Sequence, residues 1–319
     1  EASQAYDEGS IPFTRSTRRP RLPAPDRPRP RTGGSRGNVP MSAPILAALG
    51  AIVLWGALAA LGASLSHVPP FLLTGLALAI GSVPGLARVR DWKVPVATLA
   101  LGVAGLFGFH FLLFMALRLA PPVEANLVNY LWPLLIVVLT PVLLPGWRLE
   151  RRHAIAAAVG FAGAAIAIGA SPASIDARSA TGFALAAGSA VTWAVYSLAV
   201  RRVPSFSSWA IGGFAAASGA LALACHALIE PRAALAPGDW VRIALLGLGP
   251  MGAAFYLWDH AMKRGDPRVV GTLAYATPVL STALLAFSTG RAWSWTLPLA
   301  TLLVAGAAAL ALRPGRRGR

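Results

Sequence analysis

The residues with chemical reach in this 319-residue chain gather in one stretch, NLVNYLWPLL, at positions 126 to 135. Asn126 and Asn129 bring amides that donate and accept hydrogen bonds, and Tyr130 and Trp132 bring flat rings with polar edges. Pro133 has no N–H, so the carbonyl of Asn129 loses its helical partner and becomes a free acceptor. A further imidazole, His110, stands among phenylalanines in GLFGFHFLLF. No nucleophile here is flanked by a base. The chemistry open to these groups is recognition: rings that stack on an apolar ligand, and acceptors suited to an ammonium head.

Bond-breaking chemistry has no such footing. Proteolysis by paired aspartates needs one on each of two facing spans, yet Asp259 and Asp266 share a single loop, in LWDHAMKRGDP. Ser218 and His226 lie eight residues apart on one helix, about 12 Å along its axis. With one cysteine, Cys225, and five scattered histidines, neither a disulfide framework nor a metal centre is expected, and no cofactor is implied. The formal charge of +16 does not point to nucleic acid either. Eight arginines lie in residues 1–40 among Pro, Ser and Gly, which reads as a basic, disordered tail. That tail precedes the first methionine, Met41, and has no apolar run of the secretory type, so it is set aside from the fold. Its charge fits a cytoplasmic position beside anionic lipid headgroups.

The elements that must carry the recognition groups are membrane spans. The chain is 56% hydrophobic and 13% charged, against about 25% charged for a soluble domain. Segmenting at polar clusters gives ten candidate helices: 45–63, 70–87, 94–117, 123–143, 154–170, 181–200, 208–228, 241–258, 268–288 and 294–312. With both termini inside, 23 of the 28 basic residues fall on the inner side, as the positive-inside rule requires. An internal repeat fits the same count. Pro122, Tyr130 and Pro133 recur 145 positions later as Pro267, Tyr275 and Pro278; Trp55 and Gly75 recur 138 positions later as Trp193 and Gly213. Five helices is an odd number, so the second copy must insert upside down. The expected fold is an all-α integral membrane protein of two inverted five-helix repeats, 41–170 and 171–312, between the tail 1–40 and a short basic tail 313–319.

At 100° per residue, Asn126, Asn129, Tyr130, Pro133 and Thr140 share one stripe of the fourth span, opposite Leu127, Leu131 and Leu134. A polar stripe in lipid must face a bundle interior or a wet cavity. The ninth span repeats the device with Tyr275 and Pro278, and the sixth groups Ser189, Trp193, Tyr196 and Ser197. These stripes are expected to line one central chamber, with Pro133 and Pro278 as hinges. His110 sits mid-membrane, where an ionisable group is a functional candidate. Gly102, Gly105 and Gly108 form a separate face suited to close helix packing. His110 and Glu124 are the candidates if transport is coupled to protons. Glu124, however, lies in a first turn about 160° from Asn126 and fits dipole stabilisation of the helix equally.

The hexapeptide VNYLWP (Val128–Pro133), with the inverted repeat, LWG (Leu54–Gly56) and the pair Arg201–Arg202, resembles the EamA-type drug/metabolite transporter superfamily. Within it the sequence is most similar to the YddG-type aromatic amino-acid exporters, over residues 45–312. The resemblance implies a ten-helix basket in a bacterial inner membrane, with a central cavity open to one side. It also implies export of aromatic and hydrophobic amino acids by alternating access. His110, Tyr130, Trp132 and Trp193 would be cavity contacts and Pro133 a bending point. On the helical wheel Trp132 falls only at the edge of the polar stripe. Export of another small metabolite or drug is the alternative reading, and a non-transporting scaffold or receptor a further one.

Overall fold

The computed structural model describes residues 42–120, 122–168, 176–289 and 295–313, and no strand occurs among them. The expected tails, 1–40 and all but the first residue of 313–319, lie outside the described residues. The first part of the chain forms α1 (Ala43–Gly56), α2 (Leu58–Ser64), α3 (Pro70–Ser82), α4 (Val96–Val103) and α5 (Phe109–Leu119). It continues through α6 (Pro122–Asn129), α7 (Trp132–Leu143) and α8 (Arg151–Ile168). The second part forms α9 (Ala177–Ala199), α10 (Ile211–Ile229), α11 (Pro237–Leu248), α12 (Ala254–Arg264), α13 (Pro267–Leu273), α14 (Ala276–Thr289) and α15 (Thr296–Leu312). Prolines open several of these helices, where a missing N–H costs nothing: Pro44, Pro70, Pro133, Pro237 and Pro267 all stand in first turns.

Seven helical stretches are long and apolar enough to cross a membrane: Ala43–Gly62, Pro70–Trp92, Val96–Leu119, Ala125–Leu143, Ala177–Ala199, Ser208–Ile229 and Pro237–Arg264. They coincide with the expected first four spans and with the sixth, seventh and eighth. The expected fifth, ninth and tenth fall on α8, on α13 with α14, and on α15. Large apolar side chains such as Val96, Leu228 and Phe287 point outward and are more than three-quarters exposed. In water such a surface would aggregate; against acyl chains it needs no cover.

Four of the spans are not continuous α-helices, and their irregularities come in pairs. A π turn at Ala104–Gly108 separates α4 from α5, and a second at Gly249–Ala253 separates α11 from α12, 145 positions later. α6 breaks at Tyr130–Leu131 before α7, and α13 breaks at Ala274–Tyr275 before α14, again about 145 positions on. Each break tightens the backbone to i→i+3 hydrogen bonds, Leu131 N to Val128 O and Thr277 N to Ala274 O. A proline follows each within three residues, Pro133 and Pro278.

Small residues set the closest helix crossings. A Cβ on Gly75 of α3 would lie 3.1 Å from the Gly219 carbonyl oxygen of α10, and one on Gly219 would lie 3.0 Å from that of Gly75. The expected glycine face of the third span packs in the same way: a Cβ on Gly105 would overlap the ring of Tyr196, and one on Gly102 that of Phe214. Without a hydrophobic drive between helices in lipid, such close backbone approach is what holds them.

Candidate functional site

A cavity of about 640 Å³ occupies the centre of the helix bundle, and the described residues that line it include no Asp, Glu, Lys or Arg. Its volume falls within the roughly 300–1,000 Å³ usual for small-molecule sites. Aromatic rings dominate the wall: Trp55 from α1, Phe109 and Phe114 from α5, Trp132 from α7, Trp193 from α9 and Phe255 from α12. The polar part of the wall is His110, Asn126, Asn129, Tyr130, Thr74, Thr277 and Ser281.

The backbone irregularities place these groups. At the first π turn the Leu106 carbonyl accepts the His110 Nδ1–H at 2.6 Å. A carbonyl can only accept, so the proton is on Nδ1, and Nε2 is left without a partner among the described residues. At the second π turn the Pro250 carbonyl accepts the indole N–H of Trp55 at 3.0 Å. Both turns therefore present a carbonyl to a ring N–H at the cavity wall.

Four indoles meet at the floor. Trp55 lies 6.2 Å from Trp132, 5.9 Å from Trp193 and 5.2 Å from Trp258 between ring centroids, and Trp132 lies 5.4 Å from Trp258. Two of them have their polar edges engaged: Trp55 on Pro250, and Trp258 on the Ser197 hydroxyl at 3.0 Å. Trp132 and Trp193, which also line the cavity, have no hydrogen-bond partner for the indole N–H among the described residues. Asn129 is half committed: its Oδ1 accepts from Ser189 at 2.7 Å, which ties α6 to α9 and leaves its amide N–H₂ unpaired.

Of the expected site residues, the structure brings His110, Asn129, Tyr130, Trp132 and Trp193 to this one cavity. Trp132 was expected only at its edge. The wheel assumes an unbroken helix, and the break at Tyr130–Leu131 changes the phase before Trp132. Tyr275 is a correction: it is not among the lining residues. It is fully buried on the far side, its ring 6.3 Å from Phe161 and seated over Gly160, where a Cβ would come within 2.5 Å. The break at Ala274–Tyr275 turns it away and brings Thr277, 145 positions after Trp132, to the wall. Ser189, Tyr196 and Ser197 likewise do not line the cavity; they serve the packing of α9. Pro133 and Pro278 are buried next to their breaks. The two broken helices touch there, with a Cβ on Gly271 of α13 only 3.1 Å from the Pro133 carbonyl. The side chain of Glu124 lies outside the described residues.

Trp55 and Phe255 were missed as site residues, although the repeat pointed to both. Trp55 is the counterpart of Trp193, and Phe255 that of His110, whose ring it meets edge-on at 6.2 Å.

The cavity has one open and one sealed end. Leu58 and Gly62 of α2 and Leu113 and Leu117 of α5 line the mouth. Their counterparts 138 and 145 positions later are Tyr196, Val200, Trp258 and Met262, and all four are buried at the opposite end. Arg201 reinforces that end from α9 by donating to the carbonyls of Met262 and Gly265. Lys263 holds Asp259 at 2.7 Å, and Ser208 donates to the same carboxylate.

Comparison with known proteins gives a consistent picture. A model of the EamA-like transporter family matches the chain twice, over residues 42–169 and 180–313. A curated protein named aromatic amino acid exporter YddG, from Ancylobacter novellus, is 44% identical over 276 residues, covering 84% of this chain and 96% of that protein. A crystal structure, described only as that of a protein, superimposes with a TM-score of 0.79 at 43% identity, covering 85% of this chain and 96% of that one.

Proposed function

Because the chain belongs to the EamA-like transporter family, we propose that it exports aromatic and other hydrophobic amino acids through the central cavity by alternating access. The chain is a multi-pass membrane protein and a transporter rather than an enzyme. The observation that carries the substrate reading is the wall itself. Six aromatic rings surround unpaired N–H and imidazole groups, and no formally charged side chain stands among the described lining residues. Burying a net charge there would be costly, so the wall favours a net-neutral solute with an apolar ring over a sugar phosphate. The ring packs against Trp55, Trp132, Trp193 and Phe255, while His110 Nε2 and the Asn129 amide meet the zwitterionic head. The name of the Ancylobacter novellus relative agrees with that assignment.

The architecture we infer is ten spans in two inverted five-helix repeats, 41–170 and 171–312, in a bacterial inner membrane with both termini cytoplasmic. Its support is the double family match, the irregularities recurring at 145 positions and the inner-side excess of Lys and Arg. In that orientation the mouth between α2 and α5 faces outward and the Trp258 end faces the cytoplasm. Pro133 and Pro278 act as hinges at the two helix breaks, where α7 and α13 already touch. Transport then consists of opening the Trp258 end while the mouth closes.

Reconstitution in proteoliposomes tests this. Trp132→Ala and His110→Ala are expected to cut flux of tryptophan or phenylalanine at least tenfold, or about 1.4 kcal/mol of transition-state stabilisation, while the protein remains folded. Wild-type flux in both variants would overturn the site. Flux of a drug or sugar phosphate, with none of an aromatic amino acid, would overturn the substrate class.

A further inference from the structure

A second cavity, of about 370 Å³, opens where four helix ends meet: the start of α1, the first turn of α8, the α12–α13 junction and the end of α15. It belongs to neither the central chamber nor its sealed end. One wall is apolar, from Ile45, Val269, Ala311 and Leu312; the other carries Arg152, His153, Arg264, Asp266 and Arg313.

His153 is the anomaly. It is fully buried, it lines this cavity, and neither ring nitrogen has a hydrogen-bond partner among the described residues. Buried polar groups are almost always paired, so a polar partner belongs in the space beside it. The charges around the cavity give that partner its sign. Burial works against the Asp266 carboxylate, but the Arg268 guanidinium at 2.7 Å outweighs it and holds the carboxyl below its usual range. Asp266 also caps α13 by accepting from the Arg268 N–H at 2.9 Å. Glu150 is taken by Arg152 at 2.9 Å and Arg268 at 3.3 Å. Both nearby carboxylates are therefore committed. Arg264 has no partner among the described residues, and the Arg152 guanidinium donates to the Arg313 carbonyl. The 18-residue α8 adds the positive end of its dipole, with no acidic residue in its first turn.

We propose that this cavity binds a phosphate oxyanion, held by Arg264, Arg152 and His153 over the first turn of α8. At a helix end bordering the bilayer, the oxyanion is either the headgroup of an anionic phospholipid, whose chains would start along the apolar wall, or free inorganic phosphate. The site is independent of the transport reading.

The test uses the full chain, delipidated in detergent, with binding read as a saturable rise in unfolding temperature and as bound mass by native mass spectrometry. The probes are dioctanoyl phosphatidylglycerol, dioctanoylglycerol and inorganic phosphate. The expected result is saturable binding of phosphatidylglycerol and none of dioctanoylglycerol. Affinity should fall at least fivefold in Arg264→Gln and His153→Gln, persist in Arg264→Lys, and be unchanged in Arg88→Gln, outside the cavity. Saturable binding of inorganic phosphate with the same dependence on Arg264 assigns the site to free phosphate and also supports it. No saturable binding of either phosphate probe, equal binding by all variants, or equal binding of dioctanoylglycerol would overturn it. Should Arg264→Gln fail to fold, Arg264→Lys and His153→Gln carry the same decision.

Discussion

The two ends of the central cavity occupy matching places in the two halves of the chain and are built from different residues. The open end has Leu58, Gly62, Leu113 and Leu117; the sealed end has Tyr196, Val200, Trp258 and Met262. Aliphatic side chains and a glycine leave a mouth, while two rings, a valine and a methionine fill the equivalent space. The sealed end is also tied by polar contacts, Arg201 to two carbonyls of the α12–α13 junction and Lys263 to Asp259. The difference teaches that the two halves share a backbone plan but not an energy. The state with the mouth open is held by side chains, not by the helices themselves, and transport must undo them.

Three substitutions break or sharpen that contrast, from the largest effect to the smallest. Trp258 is 1% exposed and touches three other indoles. Trp258→Ala is expected to cost about 3–5 kcal/mol, the usual range for deleting a buried large ring, and Leu113→Ala at the mouth much less. Thermal unfolding of the two variants side by side checks this, and equal losses would abolish the distinction. Arg201→Gln removes hydrogen bonds from a charged donor to two carbonyls, about 1.5–3 kcal/mol each where they count. In a Cys225→Ser background, which has no other cysteine, a Val200→Cys probe is then expected to react faster with a water-soluble maleimide. An unchanged rate means the tie does not hold the end shut. At Gly62 a Cβ would meet nothing within 4 Å. Gly62→Ala should leave stability unchanged or raise it by about 0.4–1 kcal/mol. Gly62→Trp should slow aromatic amino-acid flux several-fold with no loss of unfolding temperature, because its ring obstructs closure of the mouth. Normal flux in Gly62→Trp would show that α2 does not close on α5.

Much of this was legible in the sequence because lipid leaves few options. Apolar length marks the spans, and seven of those expected coincide with helices of crossing length. VNYLWP delivered Tyr130 and Trp132 to the cavity, and GLFGFHFLLF delivered His110. What failed was periodicity carried across a break. Counting 100° per residue through Tyr130–Leu131 put Trp132 at the margin, and counting through Ala274–Tyr275 put Tyr275 in the chamber. Two local turns reverse both placements. Trp55 was hidden for another reason: its span has no polar stripe, and its role comes from the Pro250 carbonyl 195 residues away.

The π turns make residue count itself part of the site. A π turn holds one residue more than the α turn it replaces, and everything beyond it is rotated accordingly. Loops forgive insertions and deletions; Ala104–Gly108 does not. Removing one residue there would restore an ordinary helix and swing His110, Leu113, Phe114 and Leu117 together by about 100°. A deletion that alters no lining residue would thus empty one wall of the cavity, and a compensating insertion before Phe109 would refill it.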